Sequence, residues 1–242
     1  MDNEPVRDPL DRVAIALDTA DRATFHRWCE QFGPRVGMLK VGLEAFLRWG
    51  HEAVGAARRH ARGVFLDLKL HDIPNTVKGA VTAARASGVD LLTVHASGGS
   101  SMLEAANRAA GDELGILAVT VLTHLDEGEL EGLDLPGSSE ARARRWARLA
   151  EEAGCAGAVC SPLEVATLRE NLALPFLLVT PGIRLATAER QADDQQRIAT
   201  PGQALRAGAD LLVVGRPVTR APDPDAVLQE IAREIEDALT PG

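Results

Sequence analysis

The sequence predicts an α/β protein with the (β/α)8 fold, a TIM barrel, built as a single domain over residues 1–242. Within it, residues 1–11 are expected to form an N-terminal extension. Eight short apolar runs recur along the chain, helical patterns separate them, and no linker or shift in composition divides the sequence. Eight strands in 242 residues leave about thirty residues for each repeat, the size of a strand with its crossover helix. Strict alternation over eight such units favours a closed parallel barrel.

The eight apolar runs predict the strands. They cover residues 13–18, 38–41, 64–70, 91–95, 116–122, 157–160, 176–180 and 211–215. Each run is nearly continuous in valine, leucine, isoleucine and alanine, which is typical of parallel strands covered on both faces. A doubly wound open sheet would show the same alternation, but its usual GxGxxG turn does not follow the first strand. The closed barrel is therefore the favoured arrangement.

Capping residues and apolar stripes predict the helices. Asp21 precedes an apolar stripe with helical spacing. Ser161 and Thr200 each open a capping box with proline at the first helical position, and Ser101 opens a box without proline. A last helix is expected over about residues 225–239. Its predicted apolar face consists of Leu228, Ile231, Ile235 and Leu239.

Composition and charge limit the classes of function. The chain is 45% hydrophobic with a net charge of -9, so nucleic acid and anionic membranes, which need clustered lysine and arginine, are not expected partners. The three cysteines lack a CxxC pair and are expected to be small buried side chains in a reducing compartment. No run reaches eighteen apolar residues and residues 1–12 lack an apolar signal-peptide core, so we expect a cytoplasmic protein.

Lysine is rare in this chain. Of 26 basic residues only Lys40, Lys69 and Lys78 are lysine, and the others are arginine. Lys40 and Lys69 fall on predicted strands, where apolar side chains are usual, whereas Lys78 falls in the following helix and is expected to be solvated. The two strand lysines therefore call for a chemical explanation.

Polar residues concentrate where predicted strands end. In a barrel of this kind the active groups lie at the carboxyl ends of the strands and in the loops that follow. The polar residues at these positions are Asp18, Lys40, Asp67, Lys69, Asp72, His95, Thr123 and Arg216. Two long polar connections, residues 124–139 and 181–199, also follow strands there and are expected to be ligand loops or lids.

The segment 67–76, DLKLHDIPNT, carries most of the charge. The two-residue period of a strand places Asp67 and Lys69 on one side, separated by about 6.6 Å of backbone rise. A single buried Asp–Lys pair could merely hold the barrel mouth together. With Lys40 and Asp72 the array contains two acids and two bases, and few structural roles need so many charges in one place.

At these residues the sequence resembles the orotidine 5'-monophosphate decarboxylase family. The matching segments are ALD at 16–18, LKVGLE at 39–44, DLKLHDIPNT at 67–76, VHASGG at 94–99, VLT at 121–123, VTPGIR at 179–184, DQQRIATP at 194–201 and VVGRPVT at 213–219. Short D-x-K-x-x-D motifs also occur in related sugar-phosphate enzymes, but the HDIPNT continuation and the spaced TPGIR, DQ and GRP elements make this resemblance specific.

The resemblance implies a reaction and an assembly. Members of the family remove CO2 from orotidine 5'-monophosphate (OMP) to give UMP, the last step of de novo pyrimidine nucleotide synthesis, without a metal or an organic cofactor. Lys69 would be the proton donor to pyrimidine C6, and Asp67, Lys40 and Asp72 would complete the charged array. The resemblance also implies a homodimer in which Asp72 comes from the partner subunit.

The chemistry of that reaction agrees with these residue types. Loss of CO2 leaves an electron pair in the plane of the ring, where no π system delocalises it. A positioned cation that is also an acid can stabilise this charge and then protonate the carbon. Lysine meets both needs, whereas arginine holds its proton too tightly and spreads its charge over a plane.

The resemblance also assigns contacts to the substrate. It implies that Asp18 and Thr76 contact the ribose and that Thr123 reads the pyrimidine edge. The implied phosphate contacts are Arg184, Gln195, Gly215 and Arg216, and the further substrate contacts are Asp72, Ile73 and Pro181. Barrels often bind phosphate with the loops after strands 7 and 8, which independently favours the phosphate contacts.

Two other functions fit parts of the pattern. A metal-dependent sugar-phosphate decarboxylase or synthase shares the barrel and the D-x-K-x-x-D motif, and a chelator would inhibit it. A non-catalytic barrel that binds phosphoribosyl groups would lack turnover despite binding nucleotide. The histidines show no metal-ligand spacing, and His71 and His95 are expected to pack or hydrogen-bond because Lys69 already supplies a proton.

Overall fold

A computed structural model describes residues 8–135, 137–185 and 197–240. In this part of the chain, eight parallel strands close into a barrel in chain order, and the last strand pairs with the first. The strands are β1 (Val13–Ala16), β2 (Met38–Gly42), β3 (Val64–Leu70), β4 (Leu91–His95), β5 (Gly115–Val119), β6 (Gly157–Val159), β7 (Leu177–Thr180) and β8 (Leu211–Val214). The predicted (β/α)8 barrel is confirmed, and the open sheet is not formed.

Helices follow the strands. They are α1 (Arg22–Phe32), α2 (Leu43–Trp49), α3 (His51–Arg58), α4 (Pro74–Ala86), α5 (Gly99–Ala110), α6 (Glu127–Gly132), α7 (Ser139–Glu152), α8 (Val165–Arg169), α9 (Pro201–Arg206), α10 (Arg216–Thr219) and α11 (Pro224–Leu239). Two 3-10 helices, Pro9–Arg12 and Ala96–Gly98, lie at the start of the described chain and between β4 and α5. Among the helices in the described ranges, none combines the length and apolar character needed to span a membrane.

In the described residues, the two larger apolar clusters form two layers. The larger layer lies between the strands and the helices and includes Leu66 of β3. A smaller cluster that includes Phe65 fills the barrel interior. Neighbouring residues of one strand thus point to opposite sides, as period-two geometry requires. Since Asp67 is two residues beyond Phe65, the barrel interior changes from apolar to charged toward the carboxyl end of β3.

Two predicted helix starts are confirmed. The side chain of Asp21 accepts a hydrogen bond of 2.7 Å from the backbone N–H of Thr24, which caps α1. Thr200 and Gln203 form both halves of a capping box at the start of α9, with N–O distances of 3.3 and 3.0 Å. Satisfying these end groups is what stabilises a helix start against solvent.

The other two boxes behave differently. The Ser161 box is half formed, because Glu164 accepts a hydrogen bond of 3.1 Å from the Ser161 backbone N–H but α8 begins only at Val165. The helix start predicted at Ser101 is wrong. The 3-10 turn before α5 leads directly into the helix at Gly99, so Ser101 lies inside the first turn.

Two further expectations need correction. Leu239 was expected on the packed face of the last helix, but it is the final residue of α11 and lies 43% exposed, whereas Leu228, Ile231 and Ile235 are buried as predicted. The connection 124–139 is not a simple loop, because it contains α6, which Asp126 and Glu129 start with a complete capping box. Six residues with two glycines are too few for a periodic apolar pattern to reveal a helix.

Candidate active site

A cavity of about 240 Å³ opens at the carboxyl ends of the strands. Its lining draws on the ends of strands β1, β2, β3, β5, β6, β7 and β8 and on the residues just after them. The predicted site residues that line it are Asp18, Lys40, Asp67, Lys69, Thr123, Pro181, Arg184, Gly215 and Arg216. Positions spread over most of the chain thus meet at one end of the barrel, as expected for this fold.

The acidic and basic side chains on the β1–β3 side form a continuous array. Lys69 Nζ lies 2.7 Å from Asp67 Oδ1, and Lys40 Nζ lies 3.3 Å from Asp67 Oδ2. Lys40 Nζ also lies 3.7 Å from Asp18 Oδ1. Charges of opposite sign therefore alternate in the order Asp18, Lys40, Asp67, Lys69. Lys40 and Asp67 are only 7% and 9% exposed, so water contributes little to their solvation.

The array determines the protonation of its buried members. Burial acts to raise the pKa of Asp67, but the Lys40 and Lys69 ammonium groups outweigh it and hold this pKa at about 2. Burial likewise acts to lower the pKa of Lys40, and the Asp67 and Asp18 carboxylates outweigh it, so the net shift is upward. The buried charges of Asp67 and Lys40 are therefore kept in their ionised forms at neutral pH by their neighbours.

The backbone of β3 departs from regular geometry at Lys69. Its φ angle is 50°, in the left-handed region, and the pairing of β3 with β4 shifts register between Leu66 and Leu70. A residue with a Cβ pays about 1–2 kcal/mol in that region. The sequence predicts correctly that Asp67 and Lys69 share the cavity side, but it does not reveal this bulge. Bulges commonly redirect a side chain at a functional site.

Thr93 holds the bulge in place, and the sequence does not predict it as a site residue. Its fully buried hydroxyl donates a hydrogen bond of 2.9 Å to Asp67 Oδ1 and accepts one of 2.8 Å from the Lys69 backbone N–H. One hydroxyl therefore fixes both the carboxylate and the backbone that carries the ammonium group. A hydroxyl residue within the apolar run of β4 is the available sequence signal, since buried polar groups need partners.

The β7–β8 side of the cavity is basic. Arg184 and Arg216 follow β7 and β8 and both line the cavity. Arg184 Nη1 donates to the carbonyl of Ile183 at 2.9 Å. Gly215 lies between β8 and Arg216, and a Cβ there would stand 3.4 Å from Ala16 Cβ, so the backbone has a close neighbour on this side. The predicted phosphate contact Gln195 lies outside the described residues.

Three predicted site residues are not among the described residues that line this cavity. Asp72, Ile73 and Thr76 are all exposed, and Ile73 is 67% exposed. Asp72 Oδ1 accepts a hydrogen bond of 2.6 Å from the Ile73 backbone N–H at the turn before α4. Within a single chain these three residues are exposed to solvent and do not line the cavity.

His71 and His95 make the kind of contacts that were expected for them. Their ring centroids are 5.4 Å apart, and His71 Nε2 lies 3.5 Å from Ser97 Oγ. Burial lowers the pKa of His95, and the neighbouring His71 and Lys69 lower it further. A neutral His95 adds no positive charge beside the Lys69 ammonium group.

Known proteins resemble this chain over nearly its whole length. Residues 11–231 match the family model described as Orotidine 5'-phosphate decarboxylase / HUMPS family. A relative from Anaeromyxobacter sp. (strain K), named orotidine 5'-phosphate decarboxylase, is 53% identical over 224 residues, covering 93% of this chain and 98% of that protein. A relative of the same name from Thermobifida fusca (strain YX) is 50% identical over 227 residues, with coverage of 93% and 95%.

A solved structure shows the same likeness in three dimensions. The crystal structure of orotidine 5'-phosphate decarboxylase from Lactobacillus acidophilus superposes with a TM-score of 0.80 at 35% sequence identity. The match covers 92% of this chain and 98% of that chain. The likeness therefore covers most of the barrel, including the strands that carry the cavity.

Proposed function

The chain belongs to the orotidine 5'-phosphate decarboxylase / HUMPS family, and we propose that it converts OMP to UMP and CO2. The observation that carries this proposal is the alternating array of Asp18, Lys40, Asp67 and Lys69 at the carboxyl end of the barrel. The array places an ammonium group in a confined cavity with a carboxylate 2.7 Å away. Such an arrangement suits a reaction that builds up negative charge on carbon and then requires a proton.

Lys69 supplies the proton. The bond between C6 of the pyrimidine and the carboxylate carbon breaks, CO2 leaves, and the electron pair remains on C6. The Lys69 ammonium group donates a proton to C6 to form UMP, and the resulting amine regains a proton from solvent. The bulge at Lys69 and the hydrogen bond to Thr93 fix the position of this donor before substrate binds.

Preorganised charge stabilises the transition state. Lys69 is held by Asp67, and Lys40 holds the other carboxylate oxygen at 3.3 Å, so the ammonium group need not reorient as charge develops. Asp67 would lie near the departing carboxylate, and repulsion between the two anions could also raise the ground state. Stabilisation of the transition state by fixed charges is the stronger explanation, because it needs no strained substrate geometry.

The rest of the cavity is proposed to bind the remainder of the nucleotide. Arg184 and Arg216 offer guanidinium donors for the 5'-phosphate, the group for which planar forks of donors are best suited. Gln195 belongs to the same proposed phosphate contacts. Asp18, whose side chain is 59% exposed, would contact the ribose. Thr123 would contact the edge of the base, and Pro181 would be a further contact. Binding energy from the phosphate would help to organise the reacting end.

Asp72, Ile73 and Thr76 are proposed to act in the cavity of a partner subunit. Their exposure and their absence from the lining of their own chain's cavity support this arrangement. Exposed apolar side chains lie on α2, which follows the adjacent strand at the same end of the barrel: Leu43 is 48% and Leu47 81% exposed. A symmetric homodimer would cover them and would add the Asp72 carboxylate to each array.

Subunit mixing tests the shared site. Lys69→Ala and Asp72→Ala proteins are each expected to be inactive, whereas a mixed dimer contains one site with both residues intact. After complete exchange, about a quarter of all sites should regain activity if the interface is a symmetric two-fold one. Absence of recovery, with exchange verified by differently tagged subunits, would contradict a site built from two chains.

A cytoplasmic location forms part of the proposal. The three cysteines, Cys29, Cys155 and Cys160, are all free and buried. Unpaired thiols are typical of proteins that work in a reducing compartment.

The decisive assay for the reaction is the fall in absorbance as purified protein consumes OMP in excess EDTA. Turnover that the chelator leaves unchanged is the expected result. Activity that disappears with EDTA and returns with a divalent cation would favour a metal-dependent sugar-phosphate enzyme. Micromolar binding of UMP without any turnover of OMP would favour a non-catalytic phosphoribosyl-binding barrel.

A further inference from the structure

A buried ion pair outside the charged array joins three loops at the cavity mouth. Arg197 Nη1 lies 2.7 Å from Glu164 Oε1, and the two side chains are only 14% and 4% exposed. Arg197 Nη2 donates a hydrogen bond of 2.6 Å to the carbonyl of Leu125. The second carboxylate oxygen of Glu164 accepts a hydrogen bond of 3.1 Å from the Ser161 N–H. Arg197 and Glu164 thus bind backbone groups that follow β5 and β6.

Each tethered segment adjoins a residue that lines the cavity. Leu125 is two residues beyond Thr123, and Ser161 directly follows Cys160, which also lines the cavity. On the third segment, Ala199 is two residues beyond Arg197 and connects it to the loop after β7. The Ala199 carbonyl accepts from the Arg184 N–H at 3.0 Å, and the Ala199 N–H donates to the Gly182 carbonyl at 3.2 Å.

The geometry points to Arg197 and Glu164 as positioning residues, which fix the distance between the base-reading Thr123 and the phosphate-binding Arg184. Neither side chain is among the described residues that line the cavity, so both act through the backbone of the loops they join. This inference rests on the proposed function, since it takes the two ends of a nucleotide as the groups to be spaced.

The energetics favour a geometric role over a purely stabilising one. The free energy needed to remove two charges from water offsets much of the attraction between them. Apolar side chains of similar size often stabilise a fold equally well. What apolar side chains cannot do is bind carbonyl and N–H groups of separate loops. A planar guanidinium fork can serve the Glu164 carboxylate and the Leu125 carbonyl at once, in fixed directions.

The chain offers a matched control at the opposite end of the barrel. Arg169 also pairs with a largely buried acid, Asp210, and donates to the backbone carbonyls of Leu172 and Phe176 at 2.9 and 3.0 Å. Its partners precede β7 and β8, at the amino ends of the strands and away from the cavity. Arg169→Met should therefore lower stability without affecting how nucleotide is held.

The test compares UMP with uridine, which lacks the phosphate, in wild type, Arg197→Met and Arg169→Met. Calorimetry gives both dissociation constants, and thermal unfolding shows that each variant is folded at the temperature used. In Arg197→Met the advantage of UMP over uridine is expected to shrink about tenfold or more, with uridine affinity changed less than about threefold, because small misplacements weaken oriented contacts steeply. Arg169→Met should keep the wild-type ratio.

If folded Arg197→Met keeps the wild-type ratio of UMP affinity to uridine affinity, the inference is wrong. It is also wrong if this ratio falls equally in Arg169→Met. If Arg197→Met does not fold, Arg197→Lys takes its place, because an ammonium group cannot serve both acceptors with the planar fork. The binding measurement is separate from turnover. Wild-type protein that binds UMP but leaves OMP unchanged would refute the proposed reaction and leave the positioning test intact.

Discussion

Asp67→Asn is the substitution that most directly tests the buried array. It removes the negative charge that lies 3.3 Å from Lys40 Nζ and 2.7 Å from Lys69 Nζ. At an effective dielectric constant near 20, the attraction to each ammonium group is about 5–6 kcal/mol before desolvation is counted. The cost of burying Asp67 offsets most of this attraction. The shift of the Asp67 pKa therefore gives the net contribution of the carboxylate to stability.

The lowered pKa gives that net effect. A shift of the Asp67 pKa from 3.8 to about 2 corresponds to about 2 kcal/mol of stability. Because the folded-state pKa is the lower one, this stability is present above pH 3.8 and is lost as the pH falls toward 2. At pH 7 the variant also leaves the Lys40 ammonium buried, with Asp18 at 3.7 Å as its remaining carboxylate in the array. We expect Asp67→Asn to lower the free energy of unfolding by about 2–4 kcal/mol.

Urea unfolding at pH 7 measures this loss, and Asp18→Asn is the control within the same array. Asp18 is more distant from Lys40 and its side chain is 59% exposed, so its loss should cost about 0–1 kcal/mol. A wild-type stability in Asp67→Asn, or an equal loss in both variants, would refute the inference that Asp67 neutralises the buried lysines. The difference between wild type and Asp67→Asn should also narrow as the pH approaches 3.

Three further predictions concern the backbone, the hydroxyl and the buried acid near the site. Lys69→Gly should be more stable in urea than Lys69→Ala by about 1 kcal/mol, the reverse of the usual order in a strand, because glycine adopts a φ of 50° without strain; equal stabilities would contradict this. Thr93→Val should lower kcat for OMP about tenfold and change KM less, because the Asp67 carboxylate and the Lys69 N–H lose their shared partner; unchanged steady-state kinetics would contradict this. Burial raises the pKa of Glu164 from 4.5 to about 7; Arg197 opposes this shift and Glu140 adds to it. Because the folded-state pKa is the higher one, ionising Glu164 lowers the stability of the fold as the pH rises from 4.5 through 7. The free energy of unfolding of Glu164→Gln, measured relative to that of wild type, should therefore rise by about 2 kcal/mol from pH 5 to pH 8. A difference between the two proteins that does not change with pH would contradict this.

The sequence was sufficient to predict the barrel and most of the charged array. Continuous apolar runs mark buried parallel strands, and Lys40, Asp67 and Lys69 stand out because they interrupt such runs. The period-two rule placed Asp67 and Lys69 on the same side, and the cavity lining agrees. These features depend on residues close together in the chain or on strand ends that the fold always brings to one edge.

Features set by distant contacts were not predictable in this way. Thr93 is a single hydroxyl in an apolar strand, and only the bulge in the neighbouring strand gives it two partners. The Arg197–Glu164 pair joins residues 33 positions apart and depends on how two loops meet above the barrel. The helix start at Ser101 failed because the preceding 3-10 turn, rather than the capping pattern, determines where α5 begins.

Binding and turnover in Lys69→Ala test the central claim most directly. Lys78→Ala is the control, because Lys78 is an exposed lysine on α4 outside the array. If Lys69 donates the proton to C6, Lys69→Ala should bind UMP nearly as wild type does and should retain less than a few per cent of the wild-type kcat for OMP. Lys78→Ala should match wild type in both measurements. A Lys69→Ala protein that keeps more than a few per cent of the wild-type kcat would contradict the assignment of Lys69 as the proton donor.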